Sequence, residues 1–197
     1  MLKLKRNFFL IDEWDCVIRE RQESEDLQKQ YLEFLRNLLK HNMDNQQKGT
    51  ILTLLKVDKA NKNYINRYWF SYKDFLDPAD NFTSFSCEDL DGKQGYIAVI
   101  ENLLNIDKTA KVFVEVYGFE EHNNEQFIHA ETLIIFSKLS LLEIRKIFNE
   151  PEDIFPSDIG EETDFSRPIF LIGENGDLVP GAKLLGDDYS VYYCWWD

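Results

Sequence analysis

Two apolar runs facing each other across a polar connection most constrain what this chain can become. Val112-Phe113-Val114-Glu115-Val116-Tyr117 alternates, so its three valines fall on one face of an extended strand. Thr132 to Phe136 is β-branched and aromatic, and Gly118 and Asn123-Asn124 lie between the two runs. A polar, turn-forming connection between two such runs predicts an antiparallel pair.

Other strand signals cluster around this pair. Ile169 to Ile172 is followed by Gly173-Glu174-Asn175-Gly176-Asp177, where Asn175-Gly176 is a hairpin dipeptide. Tyr189 to Trp196 is apolar or amphipathic on both faces, as an interior strand requires. Its aromatics, like Tyr64, Tyr68, Trp69, Phe70 and Tyr72, are read first as core and second as a binding platform. Tyr64 to Tyr72 and Thr50 to Val57 add further strand expectations.

Two helices are legible. Ser24 as N-cap, with Glu25 and Asp26 behind it, opens one whose apolar face runs through Leu27, Tyr31, Phe34, Leu35, Leu38 and Leu39, and which closes near His41. Ser140 and Glu143 form a capping box for the second, with Leu139 and Ile144 as its hydrophobic staple and Pro151 as its stop. Its buried stripe is Leu141, Ile144, Ile147 and Phe148. A third helix fits Ala98 to Asn105. Helices and strands do not alternate as a doubly wound fold requires. The expected class is α+β, a mostly antiparallel β-sheet with two or three flanking helices. One domain over residues 1–197 is expected, with 76–80 the place where a two-lobe division would fall.

Charge is the second constraint. Of 22 Lys+Arg and 36 Asp+Glu, residues 1–75 hold 14 and 11, leaving 8 and 25 after them, a net of −17 for residues 76–197. Phosphate ligands draw on clustered Lys and Arg, so nucleic acid and anionic membrane are not expected as direct partners. With 15 Phe, 9 Tyr and 4 Trp the chain is too aromatic to be a disordered acidic tail. No apolar run approaches the ~20 residues of a membrane helix. Met1 to Arg6 is basic, but no signal-type apolar region follows. Cys16, Cys87 and Cys194 are odd in number and widely spaced, so free thiols and a cytoplasmic setting are expected.

The search for chemistry excludes more than it finds. His129-Ala130-Glu131 matches the first half of a zinc deaminase signature, but no Cys-x-x-Cys exists to complete it. Asp89-Leu90-Asp91-Gly92 resembles the middle of a calcium loop, yet Cys87 and Ala98 stand where its end ligands belong. Gly173-x-x-Gly176 lacks the Lys-Ser/Thr of a phosphate loop. His122, His129, Glu120, Glu125 and Glu131 could gather across the hairpin around a metal, but the polarity of a solvated loop already explains them.

Glu150 to Pro168 carries more information. Glu150, Glu152, Asp153, Asp158, Glu161, Glu162 and Asp164 face Arg167 alone, and Ile154, Phe155, Ile159 and Phe165 interrupt them. Carboxylates outward with apolar anchors suit a basic protein partner, and a solvated loop that only aids solubility fits them equally well. The candidate partner-binding residues are Glu152, Asp153, Phe155, Asp158, Glu161, Glu162, Asp164 and Phe165, with the three carboxylates at 161, 162 and 164 expected on the surface. The leading expectation is a non-enzymatic acidic protein-binding protein, such as an immunity or antitoxin-type inhibitor masking a basic partner. The alternatives are a small metal-assisted hydrolase centred on His122 and His129, and a structural adaptor subunit. No cofactor, metal or catalytic residue is assigned.

Overall fold

The computed structural model describes residues 45–61, 66–86, 92–122, 125–151, 154–173, 175–184 and 188–197. All of them belong to the unit His41–Asp197. The expected helix from Ser24 to His41, and Cys16 and Cys87, lie outside the described residues. In chain order the elements are α1 (Asn45–Asn61), β1 (Arg67–Ser71), α2 (Tyr72–Phe75), β2 (Thr83–Phe85), α3 (Lys93–Ile106), β3 (Lys111–His122), β4 (Glu125–Ser137), α4 (Leu141–Asn149), β5 (Asp158–Glu161), β6 (Ile169–Ile172), β7 (Leu178–Pro180) and β8 (Ser190–Trp195). A 3₁₀ turn, Gly181–Leu184, separates the last two strands.

The two opposed runs pair antiparallel as β3 and β4. Val112, Val114 and Val116 share one buried face with Ala130, Leu133 and Ile135, while Phe113, Ile134 and Phe136 turn to the other. Eight strands follow the order β5-β8-β4-β3-β1-β6-β7, with β2 pairing β4 beside β8. Most neighbours are antiparallel, as expected. Two pairs, β1–β6 and β2–β4, are parallel. The helices α1, α3 and α4 pack their buried residues into the core on the valine face, which makes this an α+β fold. The opposite face carries a smaller core of Trp69, Ile134, Phe136, Ile169 and Val191, with Phe165 and Leu184 packed on it.

β8 lies between β4 and β5, so the aromatic C-terminus is interior. Tyr192 and Trp196 are buried in the main core, and the Trp196 ring meets Phe85, Tyr96 and Phe148. Their polar tips find main-chain acceptors: Tyr192 Oη donates to Leu139 O at 2.7 Å and Trp196 Nε1 to Ile154 O at 2.8 Å. Cys194 beside them is a free thiol, and burial pushes its pKa up.

Thr50 to Val57 is helix, not strand. Its β-branched Thr50, Ile51, Thr53 and Val57 favour a strand locally, but burial follows the helical period: Gln47, Ile51, Leu55 and Asp58 face inward. Tertiary packing overrides the local preference. The β6–β7 turn rests on the first turns of this helix. Gly176 has φ of +71°, and a Cβ there would meet Gln46 O and Thr50 Oγ1 at 2.8 Å, so both backbone and space require glycine. The α4 capping box forms as expected, with Ser140 N donating to Glu143 Oε2 at 2.7 Å and Glu143 N to Ser140 Oγ at 3.4 Å. Among the described residues no helix is long and apolar enough to cross a membrane.

The end of α3 is tied to the end of β4 by Asp107. Its Oδ2 accepts from Ser137 Oγ and Lys138 N at 2.7 and 3.0 Å, and its Oδ1 from Thr109 N and Oγ1. Burial alone would raise this carboxyl's pKa, but the four donors hold it well below the usual range. A depressed folded pKa stabilises above the unfolded value of ~3.9, and that stability fades as pH falls toward the folded value.

Two expectations follow. Leu55 and Val57 would share a face in a strand but oppose one another in α1, where Leu55 is 4% and Val57 51% exposed. Leu55→Ala should cost about 2–5 kcal/mol and Val57→Ala under about 0.5 kcal/mol by denaturant melts; equal losses would reverse the helical assignment. Asp107→Asn should be less stable than wild type at pH 7, with the gap closing as pH drops below about 4. A gap that stays constant through the acid limb would show that Asp107's charge is not what ties α3 to β4.

Candidate functional site

The acidic segment divides in two where the fold uses it. Its first part forms the sheet edge. Asp158 and Glu161 of β5 are exposed, Ile159 between them is buried, and Gly160 lies under the Tyr193 ring, which a Cβ would strike at 2.6 Å. Tyr193 Oη donates to Asp158 Oδ2 at 2.7 Å, a bond that raises the tyrosine pKa. The outward carbonyl of Ile159 accepts from Arg145 of α4 at 2.8 Å. Just before β5, Phe155 stands 60% exposed. Glu152 and Asp153 lie outside the described residues.

The second part is held on the opposite face of the sheet. Arg67 of β1 is buried there at 5% exposure, beside Trp69, whose ring centroid lies 5.5 Å from the guanidinium carbon. Nε donates to Glu115 Oε1 at 2.8 Å, Nη2 to Glu115 Oε2 and to Glu162 Oε2 at 2.6 Å, and Nη1 to Asp164 O at 2.8 Å. Trp69 Nε1 also reaches Glu115 Oε2 at 3.2 Å. Burial would lower the Arg67 pKa, but bonds to Glu115 and then Glu162 outweigh it and raise the value. Glu162 was expected among the surface carboxylates; instead its side chain is 12% exposed and its partner is this arginine. Asp164 and Glu161 are on the surface, and a bond from Ser166 Oγ, then one from Ser166 N, lowers the Asp164 pKa. Phe165 is half-buried against the smaller core, so it pins this stretch.

The hairpin histidines occupy a different place. Glu115 pairs with Thr132, Val116 with Ala130 and Gly118 with His129, so Glu131 and Tyr117 are bulged residues on opposite strands. Beside this double bulge lies a cavity of about 630 Å³ lined by Glu115, Glu120, His129, Glu131, Thr132 and Arg167 among others. Glu120, His129 and Glu131 share that wall, whereas Glu125 is exposed elsewhere, and the His122 side chain lies outside what the structure describes. Among the described residues no three His, Cys, Asp or Glu side chains are arranged to hold a metal ion.

Arg67 and Glu115 went unremarked in the sequence. The available signal was one arginine in a run of aromatics, which in a strand places it on the same face as Trp69. A guanidinium on an apolar face needs carboxylates, and two of the acidic residues downstream could have been assigned to it. Set against protein-family models, curated proteins and solved structures, the chain matches none of them.

The split can be measured. Arg67→Met leaves two carboxylates without their cation and should cost about 3–5 kcal/mol. Glu162→Gln should cost about 1–3 kcal/mol, and the neighbouring Glu161→Gln under about 0.5 kcal/mol. Indistinguishable denaturant midpoints for the two glutamine variants would remove Glu162 from the buried cluster.

Proposed function

We propose that this chain is a non-enzymatic protein-binding protein whose acidic β5 edge docks on a basic partner, in the manner of an immunity or antitoxin-type inhibitor. One observation carries the reading: Phe155 stands largely in water three residues before β5, the edge strand that begins and ends with the exposed carboxylates Asp158 and Glu161. An exposed aromatic next to like charges suits a contact in which charge steers encounter and the ring anchors the complex. The net charge of −17 over residues 76–197 extends the steering field well beyond the contact. Inhibitors of this kind need complementarity and an anchor, not a catalytic constellation. No direct nucleic acid or membrane contact belongs to this reading. Glu162 and Phe165 support it indirectly by holding the chain behind the edge, while Phe155, Asp158, Glu161 and Asp164 make the contact.

The test begins with capture of a partner from the source cell at low salt, followed by binding kinetics of the purified pair. Neutralising Asp158, Glu161 and Asp164 together (to Asn, Gln and Asn) should slow association about tenfold at low salt and leave folding intact. Phe155→Ala should speed dissociation about tenfold with an unchanged denaturant midpoint. Binding that ignores salt, the triple variant and Phe155→Ala would sink the proposal, because charge and ring would then serve only solubility. A metal recovered at one per chain, and lost in His129→Ala, would favour the hydrolase alternative.

A further inference from the structure

Trp69, Trp195 and Trp196 are the tryptophans among the described residues, and two of them have their polar and apolar needs met. Trp69 Nε1 donates to Glu115 Oε2 at 3.2 Å and Trp196 Nε1 to Ile154 O at 2.8 Å, and both rings meet other aromatics. Trp195 differs. It is half-buried, it belongs to neither core, and among the described residues its Nε1 has no acceptor and its ring no aromatic neighbour. An indole in a sheet usually finds both. The register of the strands shows what stands around it. Paired residues of antiparallel strands put their side chains on one face. Trp69 pairs with Glu115, Glu115 with Thr132, Thr132 with Trp195, and Trp195 with Asp158, one row across the second face of the sheet. An indole beside a carboxylate therefore occurs twice in this row. The inner pair, Trp69 and Glu115, holds the chain's own cation: the Arg67 guanidinium carbon lies 5.5 Å from the Trp69 ring centroid, and its Nε donates to Glu115 Oε1 at 2.8 Å. The outer pair, Trp195 and Asp158, has no such cation among the described residues. Asp158 is exposed; its Oδ2 accepts from Tyr193 Oη, and no described donor reaches its Oδ1. The described arginines are engaged elsewhere, Arg67 with Glu115, Arg145 with Ile159 O and Arg167 with Asp164.

We propose that Trp195 and Asp158 together seat one arginine side chain of a basic protein partner, as Trp69 and Glu115 seat Arg67. The inference rests on the proposed docking at the β5 edge and names the chemistry that the partner must present there. A guanidinium meets both demands, because its plane stacks on an indole and its fork bonds a carboxylate. A neutral aromatic would cover the ring and leave the carboxylate unpaired. Charge favours the cation further. Glu161 closes the same strand as Asp158, and Glu131, the bulged residue beside Thr132, has no ion pair among the described residues. Phe155 precedes Asp158 by three residues and is 60% exposed, so the apolar anchor and the charged seat fall on one edge of the sheet.

The probes are a blocked Gly-Arg-Gly-Arg-Gly peptide and the same peptide with citrulline, the uncharged analogue, in place of arginine. Each is titrated into the full-length chain at low salt while indole and backbone N–H signals are followed by NMR. The arginine peptide should shift the Trp195 indole N–H saturably, and the citrulline peptide should bind at least about tenfold more weakly. Trp195→Leu assigns that indole signal and should weaken the arginine peptide about tenfold, read from the Thr132 amide. Asp158→Ala, at an exposed position, should weaken it about fivefold, read from the indole. Should Trp195→Leu not fold, Asp158→Ala decides alone. The seat is overturned if the indole shows no saturable shift by about 20 mM, if citrulline serves as well as arginine, or if either folded variant binds like wild type. Because no captured partner enters this experiment, it can fail separately from the docking it rests on. An arginine peptide that moves the Phe155 and Glu161 amides but not the Trp195 indole overturns the seat and leaves the acidic edge standing. Conversely, a seat that binds arginine while Phe155→Ala and the acidic triple variant leave partner kinetics unchanged removes the edge reading and keeps the seat.

Discussion

The buried guanidinium of Arg67 is the constraint on which the second face of this sheet depends. β1 alternates, sending Tyr68 and Phe70 toward the helices and Arg67 and Trp69 the other way. A charge on that apolar face is tolerable only if fully paired, since an orphaned buried ion costs more than a lost contact. Glu115 comes from the adjacent strand, where it sits opposite Trp69 in register. Glu162 comes from beyond β5, and reaching Arg67 forces the stretch that follows to lie across the face. The Arg67 amide closes the same loop by donating to Pro168 O at 2.9 Å, one residue before β6 begins. With the loop so held, Phe165 packs on the smaller core and the parallel β1–β6 pair can form.

That dependence explains what was legible beforehand. The β3–β4 pair and the α4 capping box are local: alternation, a polar turn and a Ser-x-x-Glu spacing state them within a few residues. The core placement of Tyr192 and Trp196 was readable because both faces of their strand are apolar. The helix α1 was not, because Thr50, Ile51, Thr53 and Val57 prefer strands and only long-range burial of Ile51 and Leu55 selects the helix. The start of α3 was read five residues late, because Lys93 does not resemble the opening of a buried face. It is buried as an ammonium clamping the loop that precedes β2, a contact invisible without the third dimension. The division of the acidic segment was hidden for the same reason: Glu161 and Glu162 are alike in sequence and differ only in whether Arg67 is within reach.

The outer edge at β5 obeys two demands that happen to agree. Unpaired strand edges invite other strands, and charged residues together with a capped carbonyl discourage that pairing. Asp158 and Glu161 supply the charge, and Arg145 occupies the Ile159 carbonyl that a new strand would use. Such an edge would exist for solubility alone. Phe155 is what solubility does not explain, because an aromatic ring left 60% exposed works against it. The sharper reading of this edge therefore rests on one ring more than on the carboxylates around it.

The two buried cations are held in different ways, one by carboxylates and the other among main-chain carbonyls. Arginine offers a rigid fork that two carboxylates can fill, and at Arg67 they do, leaving its donors and the facing carboxylates matched. Lysine is a point charge with three donors, and Lys93 Nζ donates to the carbonyls of Asp77 and Asp80 and to Thr83 Oγ1. These bonds tie the start of α3 to the loop that precedes β2. Asp80 is then left to pair through one oxygen with Lys48, and its other oxygen stays without a donor. A buried positive charge thus closes the second face where a rigid fork meets two carboxylates, and fastens the start of α3 to a loop where a compact ammonium meets main-chain carbonyls.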